Sequence, residues 1–455
     1  MSLLLAMTSR ERLTSIAIGT TRARGLIDWR GSPRAMEQNG EVGFIELLRR
    51  NPVYRKLWIG LSVSMLGEWF NTVALFVLIY TLTGSELGIG LLFVIRMFSL
   101  AVPQIFTGML ADRFSRKWLM IWANLLSAGA VLLLLLVDEA SEVWLVYVIS
   151  SVLMMLHAVF IPAENASIPN ITKDNELLTA NALNSGTWSA ALCLGASVGG
   201  FVVAAYGVEV AFVVNAISFL FAAFMYSTIE IPQEPYVPKP GGIWANTAGT
   251  IADGFRIIFS TPPVRRIITA KALWSVFGGG LVYMLVLVGE DVGLGNIAAG
   301  IGILFAARGL GTGLGPILAR YAFTDRSRWP FWLGWLVSVC GLAYVAIGWL
   351  EWSPWIAALV TFGHAASGAN WVLSTVLLQE RSEDAWRGRV FSTDFLLMTL
   401  LNGFSTLAAS LLLEYTDMTL REGIQIFAIL QVLSGIVWIA IVMPGEKRFA
   451  KATSS

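Results

Sequence analysis

Twelve stretches of apolar residues, each long enough to cross a lipid bilayer, recur along the chain and limit what it can fold into. A transmembrane helix needs about 20 apolar residues, and only helices or closed barrels satisfy their backbone groups in lipid. Of the 455 residues, 56% are hydrophobic and 13% are charged, whereas soluble domains carry about 25% charged residues. This composition excludes a water-soluble protein and predicts an all-α membrane protein.

The predicted spans divide into two sets of six. The first set covers residues 57–80, 87–111, 118–137, 143–163, 180–205 and 210–229, and the second covers 264–289, 296–319, 329–350, 354–378, 390–413 and 420–443. Between them, residues 231–242 contain four prolines and two glycines, which cannot form a membrane helix. We therefore predict a basic N-terminal tail at 1–56, six-helix bundles at 57–230 and 263–443, a linker at 231–262 and a C-terminal tail at 444–455.

The charges in the loops predict the orientation of the chain. If the first span runs from the inside to the outside, Arg421 is the only one of the 31 lysine and arginine residues that falls in an outer loop. Basic residues concentrate in cytoplasmic loops. We therefore predict a protein of the plasma membrane. Its two termini, with their tails, and its linker are predicted to lie on the cytoplasmic side. Met36 is an alternative start to Met1.

The two halves resemble each other in sequence. Residues 90–96, Gly-Leu-Leu-Phe-Val-Ile-Arg, correspond to residues 302–308, Gly-Ile-Leu-Phe-Ala-Ala-Arg. Downstream, Arg96 precedes Asp112 by 16 residues and Arg308 precedes Asp325 by 17. A duplicated six-helix unit explains both observations, and parallel repeats are related by an axis along the membrane normal. We therefore predict two pseudo-symmetric bundles.

The loop between the second and third spans, Gly108-Met-Leu-Ala-Asp112-Arg113-Phe-Ser-Arg116-Lys117, resembles the loop signature of the major facilitator superfamily, with Ser115 in place of a glycine. The resemblance, supported by the spans, the linker and the repeat, extends over nearly the whole chain. It implies alternating access, and a gating loop that latches the halves in the outward-facing state. The alternative is that its charges set topology only. Residues 379–390 further resemble the efflux branch that includes macrolide and enterobactin exporters.

Glycines in the fifth span resemble the antiporter signature of the same superfamily. Gly186, Gly195 and Gly199 match its spacing, whereas Gly200 stands where proline is expected. Close helix packing through small residues explains such glycines without a transport role. We therefore predict that these three glycines pack against a neighbouring helix.

Ionisable residues within the spans are candidates for proton coupling. Each costs about 2.5–3.5 kcal/mol on insertion scales, so such residues usually face a cavity and a partner. Glu68 and Arg96 lie at comparable depth near the midplane and are expected to pair, whereas the repeat places Gly280 where Glu68 would have its counterpart. Glu68 either exchanges a proton while changing its contact with Arg96 or forms a static ion pair. Asp394, near the inner mouth, is the second candidate.

Polar residues near these charges are expected to line a substrate cavity. Ser64, Asn71 and Thr72 share the helical side of Glu68, and Asn181, Asn184 and Trp188 recur at the same spacing in the fifth span. Arg308, the counterpart of Arg96, is added to this set from the second half. Hydrogen bonding between helices is the alternative for the polar residues.

The sequence carries no Gly-x4-Gly-Lys-Ser/Thr signature and no soluble domain large enough to bind a nucleotide, which disfavours an ATP-driven pump. His157 and His364 have no second ligand at metal spacing. We therefore predict a secondary transporter, not an enzyme, without cofactor or metal. The family resemblance implies that it exports an amphipathic small molecule of the drug or siderophore class, and Glu68 with the glycines of the fifth span favours proton antiport.

The expected partners are the substrate, protons and the lipid bilayer, with no nucleic acid, and the expected functional unit is a monomer. Two alternatives to export remain. An uptake carrier or lysolipid flippase would use the same scaffold, and a membrane sensor would no longer transport.

Overall fold

A computed structural model describes residues 42–233, 243–292, 295–383 and 386–454. Twelve helices in these ranges are long and apolar enough to cross a membrane. In chain order they are α1 Pro52–Thr83, α2 Glu86–Arg113, α3 Arg116–Leu132, α4 Val143–Ile171, α5 Asp174–Tyr206, α6 Val208–Ser227, α7 Pro262–Asp291, α8 Ile297–Ala322, α9 Trp329–Trp349, α10 Ile356–Arg381, α11 Arg387–Tyr415 and α12 Leu420–Ser454. The predicted all-α fold with twelve spans is confirmed.

Local signals at the chain turns explain where the helices begin and end. Asn51 accepts a hydrogen bond from the backbone N–H of Tyr54, and Pro52 follows it as the first residue of α1. Gly84 ends α1 with a φ of 61°, a conformation that glycine adopts without steric cost. The Ser85 hydroxyl then caps α2 by accepting from the N–H of Gly88. The sharp reversal between the first two spans therefore follows from two consecutive residues, Gly84 and Ser85.

Several helices run further than hydropathy predicts. α4 ends at Ile171 rather than at residue 163, and α12 continues to Ser454 rather than ending at residue 443. A helix satisfies its own backbone groups whether its side chains are apolar or polar, so a hydropathy window ends before the helix does.

In the described ranges two shorter α-helices lie outside the spans. One is Phe44–Arg50, and the other, the linker helix, is Ile243–Ser260. The linker helix packs against α11, where Arg389 donates to the Asp253 carboxylate over 3.2 Å. Residues 1–41 and 234–242, which include most of the predicted tail and part of the predicted linker, lie outside the described residues.

The helices of the two halves pack in the same pattern. In the N-terminal half α1 packs on α5 and α6, and α2 packs on α4. In the C-terminal half α7 packs on α11 and α12, and α8 packs on α10. The halves contact each other through α2 on α11 and through α5 on α8. This arrangement confirms two pseudo-symmetric bundles.

Close contacts between the halves extend from the middle of α5 and α8 to the end that carries the acidic loops, which the charge pattern predicts to be the outer end. A Cβ on Gly200 would lie 2.6 Å from the carbonyl oxygen of Ala298 and 2.8 Å from Cα of Gly302. The Tyr283 hydroxyl donates to the carbonyl of Glu86 over 2.8 Å. The two halves are therefore closed against each other at this end.

Further hydrogen bonds join the halves at the same end. The N–H of Leu87 donates to the Glu414 carboxylate over 3.2 Å, and the Tyr80 hydroxyl donates to Glu290. Each bond crosses from the first half to the second, so opening this end requires breaking all of them.

Candidate functional site

The Glu68 carboxylate in α1 lies between two basic side chains from different helices. Its Oε1 is 3.7 Å from Nη2 of Arg96 in α2, and its Oε2 is 3.8 Å from Nδ1 of His157 in α4. A charge-assisted hydrogen bond is about 2.7–2.9 Å long, so neither contact is fully closed. The expected pairing of Glu68 with Arg96 is present, and His157 joins it.

Arg96 is buried and only partly satisfied. Its Nη2 donates to the Thr72 hydroxyl over 3.3 Å, and that hydroxyl donates to the carbonyl of Glu68. Its Nη1 has no hydrogen-bond partner among the described residues. An unsatisfied buried donor raises the free energy of the folded protein. A hydrogen bond from Nη1 to an acceptor would therefore stabilise the guanidinium, which favours a closer approach by Glu68 or a water molecule.

A small polar cavity adjoins Glu68 inside the N-terminal half. Its polar lining consists of Glu68 and Asn71 from α1, Asn124 and Ser127 from α3, and His157 from α4. It leaves about 30 Å³ for the centres of water-sized molecules, enough for a water with polar partners. The buried Oδ1 of Asn71 has no protein partner among the described residues. The site can therefore hold water next to a carboxylate and an imidazole.

The position of this cavity corrects part of the predicted cavity wall. Ser64 is buried and donates to the carbonyl of Leu61 within α1. Asn71 faces the cavity between α1, α3 and α4, all in the N-terminal half. Neither residue lines the space between the halves. The prediction fails here because helical spacing shows which residues share a face but not which neighbour that face contacts.

The fifth-span residues separate in the same way. Asn184 points into the N-terminal half, where its amide donates to Glu164 over 2.6 Å and its oxygen accepts from the Tyr54 hydroxyl. Its predicted place on the cavity wall is therefore wrong. Asn181 and Trp188 are exposed. They lie on a face of α5 next to Ser189, which meets Gly313 of α8 in the other half.

The three glycines of the fifth span have different surroundings. A Cβ on Gly195 would lie 2.8 Å from Cβ of Trp69, and one on Gly199 would lie 2.9 Å from Cα of Phe70. Both glycines therefore let α5 approach α1 closely. No atom lies within 4 Å of a Cβ placed on Gly186, so the predicted packing role is wrong for Gly186.

The corresponding position in the C-terminal half leaves no room for an acid. A Cβ on Gly280 would lie 2.6 Å from the ring of Phe427 in α12. The guanidinium of Arg308 lies 5.7 Å from the centre of the Phe305 ring, and its Nε has no hydrogen-bond partner among the described residues. The carboxylate–arginine pair of the first half is thus not repeated here.

Asp394 instead pairs with a lysine that the sequence reasoning missed. Lys271 of α7 donates to Asp394 of α11 over 2.8 Å, and both side chains are buried. The lysine also lies 4.7 Å from the centre of the Trp371 ring and 3.3 Å from the Thr375 hydroxyl. Lys271 follows Arg265 and Arg266 in the same span, so little in the sequence indicated that it would pair with Asp394.

The gating loop is fixed to its own half. Arg116 donates from Nη1 to the carbonyl of Ala166 in α4 over 2.7 Å, and its backbone N–H donates to Gln233 of the linker over 3.0 Å. Asp112 and Arg113 are exposed, and Asp112 has no ion-pair partner within the described part of the chain. Of the other predicted residues of this loop, Gly108 lies within α2 and Lys117 lies in the first turn of α3.

The equivalent loop in the C-terminal half, residues 323–328, is longer and locally folded. Asp325 accepts from the backbone N–H and the hydroxyl of Ser327 and pairs with Arg328 over 3.2 Å. The Ser327 hydrogen bonds hold the pKa of Asp325 below its usual range. This half of the repeat thus retains an acidic cap.

Known proteins share both the sequence and the fold. The chain is 31% identical over 189 residues to the multidrug resistance protein MdtG of Rahnella sp. (strain Y9602), a match that covers 40% of this chain and 44% of that protein. It is 25% identical over 348 residues to the putative bacilysin exporter BacE of Bacillus subtilis (strain 168), covering 75% of this chain and 84% of that protein. Several curated relatives are matched over less than half of their own length.

The fold is similar to that of a bacterial homologue of the human lysosomal transporter Spinster, with a TM-score of 0.64 and 18% identity over 88% of this chain and 97% of that one. The family model described as Major Facilitator Superfamily matches residues 57–406, which is most of the chain. The chain is therefore a multi-pass membrane protein that belongs to the Major Facilitator Superfamily of transporters.

Proposed function

We propose that this transporter exports amphipathic small molecules across the plasma membrane in exchange for protons. The observation that carries the proposal is the Glu68 carboxylate, shared between Arg96 and His157 beside a cavity that can hold water. Ionisable groups at such depth mark proton relays in transporters. Both termini and the linker lie in the cytoplasm, and one chain is the functional unit because both halves of the pathway come from it.

The geometry supports a coupling step at Glu68. An ionised Glu68 is attracted to Arg96, whereas a protonated Glu68 loses that attraction. The open distances of 3.7 and 3.8 Å leave room for α1, α2 and α4 to shift when the charge changes. His157 can exchange a proton with Glu68 directly or through a water in the cavity. Proton binding and helix position are therefore linked at one residue.

The substrate path runs between the halves. Asn181 and Trp188 are exposed on α5 beside its contact with α8, and transporters of this architecture bind substrate near the midplane between their repeats. An indole and an amide suit a molecule with both apolar and polar parts. In the alternating-access cycle we assign this conformation, with the outer end closed and Asp112 and Arg113 exposed at the inner loop, to the inward-facing side.

The direction and substrate class are proposed from the relatives. One is named a multidrug resistance protein and another a putative exporter. Residues 379–390 resemble macrolide and enterobactin exporters, so macrolides and catecholate siderophores are the first compounds to test.

The test compares a host that lacks this chain with one that overexpresses it. We expect overexpression to raise resistance to erythromycin or to increase enterobactin secretion, and Glu68→Gln to abolish the effect at equal protein level. Glu209→Gln, which removes a carboxylate at the outer end of α6, is the matched control and should behave as the wild type. In inverted vesicles the same probe should accumulate inside. Accumulation in whole cells instead would show an uptake carrier.

A further inference from the structure

Glu164 is a buried carboxylate that the coupling step at Glu68 does not use. It lies in α4, beyond the end of the span that hydropathy predicts, and is 6% exposed. Its Oε1 accepts one hydrogen bond, from the Asn184 amide over 2.6 Å. No lysine, arginine or histidine forms an ion pair with it in the described ranges.

The groups around Glu164 from the neighbouring helices are neutral or directed elsewhere. From α1, the Tyr54 hydroxyl donates to the carbonyl of Ala180 and to Asn184. From α6, Tyr226 is fully buried and its hydroxyl has no hydrogen-bond partner among the described residues. From α3, Arg116 donates to the carbonyl of Ala166 and forms no ion pair with Glu164. Among the described residues, the Asn184 amide is the one hydrogen-bond donor to the Glu164 carboxylate, and no cation pairs with it.

A second buried carboxylate in the same half shows the contrast. Glu176, 5% exposed, accepts from the Asn51 amide over 3.0 Å and from the Lys173 backbone N–H over 3.1 Å at the start of α5. N–H donors and a helix N-terminus stabilise a carboxylate. Glu164 lies far from the N-terminus of α4 and has no second N–H donor among the described residues. An isolated buried charge is so unfavourable that the group takes up a proton instead.

We propose that Glu164 is a second proton-binding site of this transporter, which holds a proton in the conformation closed at the outer end. Its role in the transport cycle rests on the proton antiport proposed above, whereas proton binding itself does not. The Asn184 amide donates to the Glu164 carboxyl group and so connects it to α5, the helix that contacts the other half through α8. A movement of α5 against α4 therefore changes the stability of the ionised form.

The test is infrared difference spectroscopy on the full-length protein in lipid nanodiscs, without substrate, between alkaline and neutral pH. We expect a protonated-carboxyl C=O band that is lost in Glu164→Gln and kept in the matched variant Glu176→Gln. In reconstituted vesicles, Glu164→Gln should halve the number of protons moved per molecule of erythromycin. A band that is unchanged in Glu164→Gln would overturn the proposal.

A second measurement uses the wild type, in case Glu164→Gln does not fold. A hydrophobic carbodiimide adds to protonated carboxyl groups and leaves a stable N-acylurea that peptide mass spectrometry locates. We expect modification at Glu164 and none at Glu176, and modification at Glu176 alone would overturn the proposal. If the band and the label are present but the wild type shows no proton-driven export, the antiport fails and the site stands. If export is proton-driven but the band is absent, only Glu164 fails.

Discussion

Replacing Gly200 by alanine should shift the transporter away from the conformation closed at the outer end. The added Cβ would lie 2.6 Å from the carbonyl oxygen of Ala298, 2.8 Å from Cα of Gly302 and 3.2 Å from the backbone N of Gly302. These are backbone atoms, so no side chain can rotate away, and the halves must separate at this point. Overpacking of this kind costs about 1–3 kcal/mol, and about 1.4 kcal/mol corresponds to a tenfold change in an equilibrium. The ratio of outer-closed to outer-open molecules should therefore fall about 5- to 150-fold.

Spin labels can measure this shift. In a background that lacks Cys193 and Cys340, cysteines at positions 209 and 353 place one label at the outer end of each half, and double electron–electron resonance gives the distance distribution. Gly200→Ala should populate a longer distance. Gly186→Ala is the control, because it makes the same residue change in the same helix with no atom within 4 Å of the new Cβ. An unchanged distribution in Gly200→Ala, or an equal change in both variants, would refute the reasoning.

Three further predictions concern topology, gating and stability. A cysteine at Pro240 should react with an impermeant reagent only in broken cells, whereas a cysteine at Ser141 should react also in intact cells. Labelling of position 240 from outside would show that the predicted orientation is wrong. Asp112→Asn should slow transport while substrate binding stays near normal, since the loop lies far from the midplane, so that lost binding with normal turnover would exclude a gating role. Lys271→Met leaves the buried Asp394 unpaired and should cost about 3–5 kcal/mol, seen as a lower melting temperature. The double variant Lys271→Met/Asp394→Leu should recover most of this loss, and no recovery would show that the pair is not the cause.

Much of the fold could be predicted because the membrane limits the choice of structure. Twelve apolar stretches can only be helices if each satisfies its backbone in lipid, and the repeat of residues 90–96 at 302–308 predicts two similar halves. Helix ends were less predictable. A polar segment such as the end of α4 continues the helix beyond the apolar window, and this extension places Glu164 inside a helix.

The site was only partly predictable, because helical spacing gives a face but not its neighbour. Glu68 and Arg96 could be paired from their equal depth. His157 contacts the same carboxylate from α4, but nothing in the spacing shows that α4 approaches α1 at that level. For the same reason Ser64 and Asn184 were placed on a cavity wall, although their faces pack inside the N-terminal half. Which helices adjoin is a property of the tertiary packing.

A functional contact is hard to predict when the charge of the residue already has another explanation. Lys271 lies near the end of its span that is predicted to be cytoplasmic, close to Arg265 and Arg266, so its charge is easily attributed to the positive-inside pattern. Only the structure shows it buried against Asp394. Gly280 shows the reverse case, because the repeat predicts the missing acid and the packing of Phe427 explains it.

The central claim is that protons drive export through Glu68, and one reconstituted assay tests it most directly. Purified transporter is placed in liposomes with an acidic lumen, and uptake of labelled erythromycin is followed in molecules whose cytoplasmic face points outward. We predict accumulation that depends on the pH difference, collapses when an ionophore dissipates it, and is absent in Glu68→Gln while erythromycin binding remains. Accumulation by Glu68→Gln equal to that of the wild type, or uptake by the wild type that ignores the pH difference, would contradict the account.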